Sequence, residues 1–388
     1  MTWERLCYCG NMISSMQAGL ARRPETAEIV PLTSLRGIAA MGVVMQHFST
    51  TAQQHSNVTI PSLVPHGYLA VDLFFILSGF IMSYTYLQDF RRRGLQALGS
   101  FLGKRVARIV PLNTVVVVLI VTGGLVSEQI LGRNIFFSAR DLVVDLPTNL
   151  LLLQGFGIGT NLNGPSWSIS IEFAAYCAFP GLVWVVFAQR PAVAGPVMLF
   201  CCAALGWIAS MQPRLGLGTD VMPFSLVRCI AEFTLGMGCF RVTQHEASAR
   251  LFMTDAMGFA LIAGSGFFML LRLDLLAVLL FPGLIVALAT NRGIVARLLS
   301  NRALHVLGTV SFSLYLIHQF FRSIDLELLQ AWHPSPLGKE AALLFAFVGS
   351  VAVIPFALLT YVMVERPGRV LVRRLIRARP AVEALAKS

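Results

Sequence analysis

Charge is what this chain has least of. Only 13% of its 388 residues are Asp, Glu, Lys or Arg, against about 25% in an ordinary soluble domain. So few charges cannot cover a water-facing surface, and with 56% hydrophobic residues and a mean hydropathy of +0.72 the expected solvent is lipid. Acidic residues are scarcest: nineteen against thirty Lys and Arg, a net charge of +11. That excess does not point to nucleic acid, because the basic residues sit in the connectors between apolar stretches. Cysteine is sparse and odd in number at seven. Cys177, Cys201, Cys202, Cys229 and Cys239 fall in apolar stretches, so no disulfide framework is implied. Cys7 and Cys9 have no His or further Cys nearby, and no metal is assigned to them. Residues 1–30 lack an uninterrupted apolar core with a cleavage site, so no secretory signal is expected, and Met12 and Met16 leave the start open. Nor is there a strong internal repeat of the kind transporters often carry.

Apolar stretches are what the chain has in plenty, from Leu32 to Val364. At roughly 17–25 residues per crossing, spans are expected near 33–50, 67–88, 106–127, 166–188, 192–211, 222–240, 254–271, 273–290, 304–321 and 341–363. Segment 142–156 is shorter and carries Asp145 and Pro147, so it is expected to be re-entrant or peripheral. With a cytoplasmic N-terminus, the connector cations outside are only Arg133, Arg140, Arg214, Arg272, Arg322 and Lys339, and the positive-inside rule places both termini in the cytoplasm. The fold expected is therefore an all-α, polytopic membrane bundle of about ten helices. A cytoplasmic extension is assigned to 1–31, the membrane domain to 32–367 and a basic tail to 368–388, the last an amphipathic helix on the leaflet or a solvated end. Membrane lipids are expected partners; nucleic acid is not.

Ionisable groups inside apolar stretches are costly and mark functional sites. Arg36 and His47 are eleven residues apart, about 1100° around a helix at about 100° per residue, so they share a face. They stand about 16 Å apart along the axis. Arg36 falls near the inner surface and His47 near the outer one. Arg105 and Arg108 share a face at the start of the third span, and two guanidinium forks at the inner mouth suit phosphate oxygens; lipid headgroups and topology would also use them. In the second span Asp72 lies in the outer part, with Ser78 and Gly79 near the middle. Small residues there either let helices approach or leave room for a narrow ligand arm. Trp167 opens the span that carries Glu172, at about the depth of His47, where a carboxylate could orient an imidazole base or pair with an Arg. Arg228 and Glu232, four apart, are expected to pair structurally. Tyr315 and His318 lie on the outer half of the 304–321 span.

Taken in order, these segments resemble the acyltransferase-3 family of membrane acyltransferases. The resemblance rests on Leu35-Arg36-Gly37 leading to His47, Val71-Asp72 through Ser78-Gly79-Phe80, Arg105 to Pro111 with Arg108 between them, Trp167-Ser168 through Ser170 to Glu172, Ser313-Leu314-Tyr315 leading to His318, and Glu365-Arg366-Pro367. It implies O-acylation of an extracytoplasmic or lipid-linked glycan in a bacterial inner membrane, with acetyl-CoA or another acyl-CoA as donor substrate and no permanently bound cofactor. It implies that Arg36 and His47 are tied to activity, with Glu172 as a supporting carboxylate, and that Arg105, Arg108, Ser78 and Gly79 lie on the acyl-CoA path. Asp72, Trp167, Tyr315 and His318 are candidates on the acceptor side. Family members often have two consecutive acidic residues after the Trp-Ser motif, whereas here Phe173 follows Glu172. A secondary transporter or glycan flippase, using Arg36, His47 and Glu172 as substrate or proton sites, is the rival class.

Overall fold

The computed structural model describes residues 27–385 apart from 57–63, 139–140, 189–190, 212–216, 219, 221 and 333–335. Cys7, Cys9, the two alternative starts and most of the expected N-terminal extension lie outside the described residues. Among those described, every regular element is helical. Each of the expected apolar stretches is helical over most of its length, as apolar runs must be where no water can satisfy the backbone.

By length and composition four helical stretches could cross a membrane: Val64–Leu131, Gly164–Val186, Val193–Met211 and Lys339–Ile376. A fifth, Arg302–Thr309 with Ser311–Ala331, qualifies only if its two halves are counted together, and they are bent by 68°. The expected single span at 304–321 is therefore broken at Val310. Asp255–Leu270 and Asp274–Thr290 are apolar but shorter. Segment 142–156 contains one helix of nine residues, Leu142–Leu150, too short to cross. Asp145 and Asn149 fold it back on itself, accepting from the Thr160 and Leu162 amides at 2.6 and 3.0 Å.

In chain order the helices are α1 (Val30–Ser56), α2 (Ala70–Arg93), α3 (Leu98–Leu131), α4 (Leu142–Leu150), α5 (Trp167–Val186), α6 (Pro191–Met211), α7 (Phe224–Thr243), α8 (Glu246–Arg250), α9 (Asp255–Leu270), α10 (Asp274–Thr290), α11 (Ile294–Leu299), α12 (Arg302–Thr309), α13 (Ser311–Trp332), α14 (Lys339–Thr360) and α15 (Arg366–Leu385). Between α14 and α15, Tyr361–Glu365 forms a π-helical turn. The tail expected at 368–388 continues as helix to Leu385 and packs along α3. There a Cβ added at Gly368 would lie 2.5 Å from Pro111.

Helix α1 packs on α12, α13 and α14, and α2 pairs with α7. Two glycines set the second contact. A Cβ at Gly79 would stand 1.8 Å from the Phe233 carbonyl oxygen, and one at Gly236 1.8 Å from that of Ile76; small residues are how membrane helices bring backbones together. Across the same interface Arg228 of α7 bonds to Asp72 of α2 through Nε at 2.9 Å and Nη2 at 2.6 Å, with Glu232 3.5 Å from Nε. All three side chains are buried, and paired buried charges of this kind hold only while every partner is present.

Candidate functional site

The break between α12 and α13 leaves helix-end carbonyls to be satisfied, and Arg36 reaches over from α1 to do so. Its Nη2 donates to the Gly308 carbonyl at 2.8 Å and its Nε to Ser311 Oγ at 2.9 Å. The two chains can meet there because Gly308 abuts the Thr33 carbonyl, where a Cβ would lie at 2.0 Å. His47, three turns along α1, also faces α13: its ring stands 5.1 Å from that of His318, at 70° between planes. The shared face expected from an eleven-residue spacing is thus the face that α1 presents to α12 and α13.

Arg36 also borders a cavity of about 130 Å³ whose other basic walls are Arg105 and Arg108 of α3. Arg105 is buried, donates Nη2–H to Tyr86 Oη at 2.7 Å, and lies against the rings of Tyr86 and Tyr176. Its Nε has no hydrogen-bond partner. A buried guanidinium with an unfilled donor in a cavity wall can take an anion in the fixed fork that lysine lacks.

The adjoining walls are hydroxyl-rich. Ser78 Oγ lies 3.2 Å from Tyr176 Oη, which donates to Glu172 Oε1 at 2.5 Å. The carboxylate of Glu172 therefore faces this cavity, engaged with Tyr176 one turn along α5. Gly79 does not line the cavity; its bare Cα is packed on α7. Phe74, Ser168 and Tyr315 also line it, with Ser311 beside Arg36. Tyr315 Oη is 2.8 Å from Ser168 Oγ and 3.0 Å from the Pro165 carbonyl, and its ring is 5.8 Å from Phe74. Beyond this pair of rings lies His318, 6.1 Å from Tyr315, and then His47.

The expected site residues thus fall into three groups. Arg36, Arg105, Arg108, Ser78, Glu172 and Tyr315 share the cavity; His47 and His318 form a pair past its end; Asp72 is held by Arg228 on the other side of α2. Trp167 stands next to that last cluster, 6.4 Å from Phe75 and with the Arg228 guanidinium 6.0 Å from its ring. Three residues of the site had no role assigned from the sequence. Ser311 binds Arg36. Tyr176 links Ser78 to Glu172, signalled only by its four-residue spacing from Glu172. Arg322, assigned to a connector, lies within α13 and donates to Thr51 Oγ1 of α1 and to Gln319 Oε1, both at 3.1 Å. Glu365, by contrast, was part of the motif set, and it accepts from Ser313 Oγ at 2.5 Å and from Arg369. Among the described residues no three His, Cys, Asp or Glu side chains gather as a metal site.

Comparison with known proteins adds a family to this geometry. The model of the acyltransferase domain matches residues 31–362. The chain is 31% identical over 323 residues to exopolysaccharide production protein ExoZ of Rhizobium meliloti (strain 1021), covering 78% of this chain and 89% of that protein. It is 30% identical over 190 residues to acyltransferase MdmB of Streptomyces mycarofaciens, covering 47% of this chain but only 44% of that protein. SACOL0978 of Staphylococcus aureus (strain COL), which carries O-acetyltransferase in its name, is 24% identical over 42% of this chain and 26% of its own length. The chain thus spans less than half of two of these three relatives. No solved structure matches.

Proposed function

Because the chain belongs to the acyltransferase-3 family, we propose that it is a membrane O-acyltransferase carrying an acyl group, acetyl in the simplest case, from cytoplasmic acyl-CoA to a hydroxyl of an extracytoplasmic or lipid-linked glycan. The observation that carries this reading is the buried Arg105 with its unfilled Nε, which together with Arg36 and Arg108 walls one cavity. An exopolysaccharide role in the name of one relative and O-acetyl transfer in that of another support the choice of acceptor and group.

In this reading about ten spans cross the inner membrane with both termini inside, so the arginines face the cytoplasm and His47 the far side. Arg105 and Arg108 bind the CoA phosphates. Phosphates do not enter hydrocarbon, so they stay at the mouth while the thin acyl-bearing arm enters between α2, α3 and α5. Ser78 and the Tyr176–Glu172 pair border its path, and Tyr315 with Phe74 stands where the arm meets the acceptor side. There His47 takes the proton of the acceptor hydroxyl; the oxygen bonds to the thioester carbonyl carbon, the carbon–sulfur bond breaks, and the thiolate recovers the proton. Arg36 keeps α1 seated on the α12–α13 break and so sets where His47 lies.

The deciding experiment supplies protein in nanodiscs with acetyl-CoA labelled in the acetyl group. Acceptor-dependent release of CoA with label appearing on sugar supports the reading. Sugar movement without CoA release would replace it with transport.

A further inference from the structure

His318 has no hydrogen bond of ordinary geometry to show for its burial. Its side chain is wholly inaccessible, and its ring nitrogens, beside the Leu314 and Tyr315 carbonyls of the preceding turn, make no hydrogen bond of ordinary geometry. A neutral imidazole offers one N–H donor and one acceptor nitrogen, and buried polar groups left unmade in this way are few and call for an explanation. What faces the ring is His47 from α1, with Tyr315 and Arg322 on its own helix. Glu172, the carboxylate expected to serve His47, is engaged with Tyr176 instead. The side chain that His318 meets across the helix interface is His47.

The two rings are not equivalent. His47 is half-buried and His318 lies fully inside, so a molecule entering along α1 meets His47 first and His318 behind it. The rings touch edge-on with centroids 5.1 Å apart, so one oxygen at their shared edge, at ordinary hydrogen-bond length of about 3 Å, is within reach of a nitrogen from each. An alcohol suits such a pair: its O–H donates to an acceptor nitrogen while its lone pairs accept an N–H. An ammonium has no lone pair to offer.

The geometry points to His318 as a second catalytic imidazole, whose N–H holds the acceptor hydroxyl oxygen while His47 removes the hydroxyl proton. This rests on the acyltransferase reading above and adds the residue that selects and orients the acceptor. The balance of the step is unchanged: the proton moves from the hydroxyl to His47 and on to the CoA thiolate, and His318 keeps its own.

The test uses purified full-length protein in nanodiscs, acetyl-CoA labelled in the acetyl group, and methyl α-D-glucopyranoside as acceptor. Acetyl-CoA binding is measured separately by calorimetry. His318→Phe should lower kcat/KM for the glucoside by about 10²-fold with acetyl-CoA affinity unchanged. His318→Asn, which keeps an N–H donor, should recover part of the loss and retain the wild-type pH profile, because the proton acceptor is still His47. Wild-type kinetics in folded His318→Phe would overturn the proposal. So would equal losses in both variants accompanied by weaker acetyl-CoA binding, since that marks a packing role. If the Phe variant does not fold, the Asn variant decides: a fall in acceptor kcat/KM without loss of donor binding supports the role, and no fall refutes it. Wild-type protein that labels no sugar and releases no CoA would sink the acyltransferase reading itself, an outcome separable from an active wild type indifferent to position 318.

Discussion

Arg228 and Asp72, 156 positions apart in the chain, close on one another in a two-pronged bond between α7 and α2. The bond ties together the two helices that Gly79 and Gly236 bring into backbone contact. It is deep in the bundle, with Arg228 1% exposed, so its worth is structural.

Replacing Asp72 with Ala should therefore unfold the protein rather than alter its donor affinity. Removing one partner of a buried pair typically costs about 3–5 kcal/mol. Thermal unfolding in detergent should fall sharply, while any protein that remains folded binds acyl-CoA normally. A stable variant that has lost acyl-CoA binding would place Asp72 in the donor site instead.

Arg105→Lys and Arg108→Lys keep the positive charge but lose the planar fork. Hydrogen bonds to charged groups contribute about 1.5–3 kcal/mol, so acyl-CoA affinity measured by calorimetry should drop at least about tenfold in each. Insertion and expression should be unchanged. Undiminished affinity in both variants would leave these residues as topology and headgroup contacts.

His47→Ala should lower acyl transfer by about 10²–10⁴-fold, the usual contribution of a positioned base. Acyl-CoA binding should survive, because His47 does not border the arginine-walled cavity. Transfer at near wild-type rate by the folded variant would move the search for the base elsewhere.

Glu28, just before α1, carries a pH dependence of stability. Partial burial works against its charge, but the Thr33 hydroxyl at 2.6 Å and the His305 ring at 3.1 Å outweigh this and hold its carboxyl below the usual range. A lowered pKa in the folded state means that the ionised form stabilises the fold above the unfolded value, and that this contribution is lost as pH falls through the folded value. Unfolding temperature should fall on acidification below about pH 4.3, the ordinary glutamate value, less steeply in Glu28→Gln. Because Glu28 is half exposed, solvent keeps the effect small. Parallel acid limbs in the two proteins would contradict it.

The helices were legible because apolar composition and the demand for internal backbone hydrogen bonds leave few alternatives. The shared face of Arg36 and His47 was legible too, since helical angle depends on spacing alone. The break at Val310 was not: it contains no proline, and it is sustained by Arg36, 272 residues from the Gly308 carbonyl it bonds. Depth along the membrane placed Glu172 level with His47, but depth does not say which way a side chain points, and Tyr176 one turn on captures it. Asp72 paired with Arg228 for the same reason: a four-residue spacing advertised Glu232, and only packing could reveal the closer carboxylate. The His47–His318 contact joins the first helix to one near the end of the chain, which no local pattern encodes.

The π-helical turn at Tyr361–Glu365 works as a phase adjuster. One additional residue in an α-helix turns everything beyond it by about 100°, so α14 keeps its own apolar face toward α1 while α15 presents a different one to α3. Deleting a single residue from that turn ahead of Glu365 would leave both helices intact yet swing Glu365 off Ser313 and Gly368 off Pro111. The angular setting of the basic tail against the helix that carries Arg105 and Arg108 is thus held in the length of one turn, independently of which side chains line it.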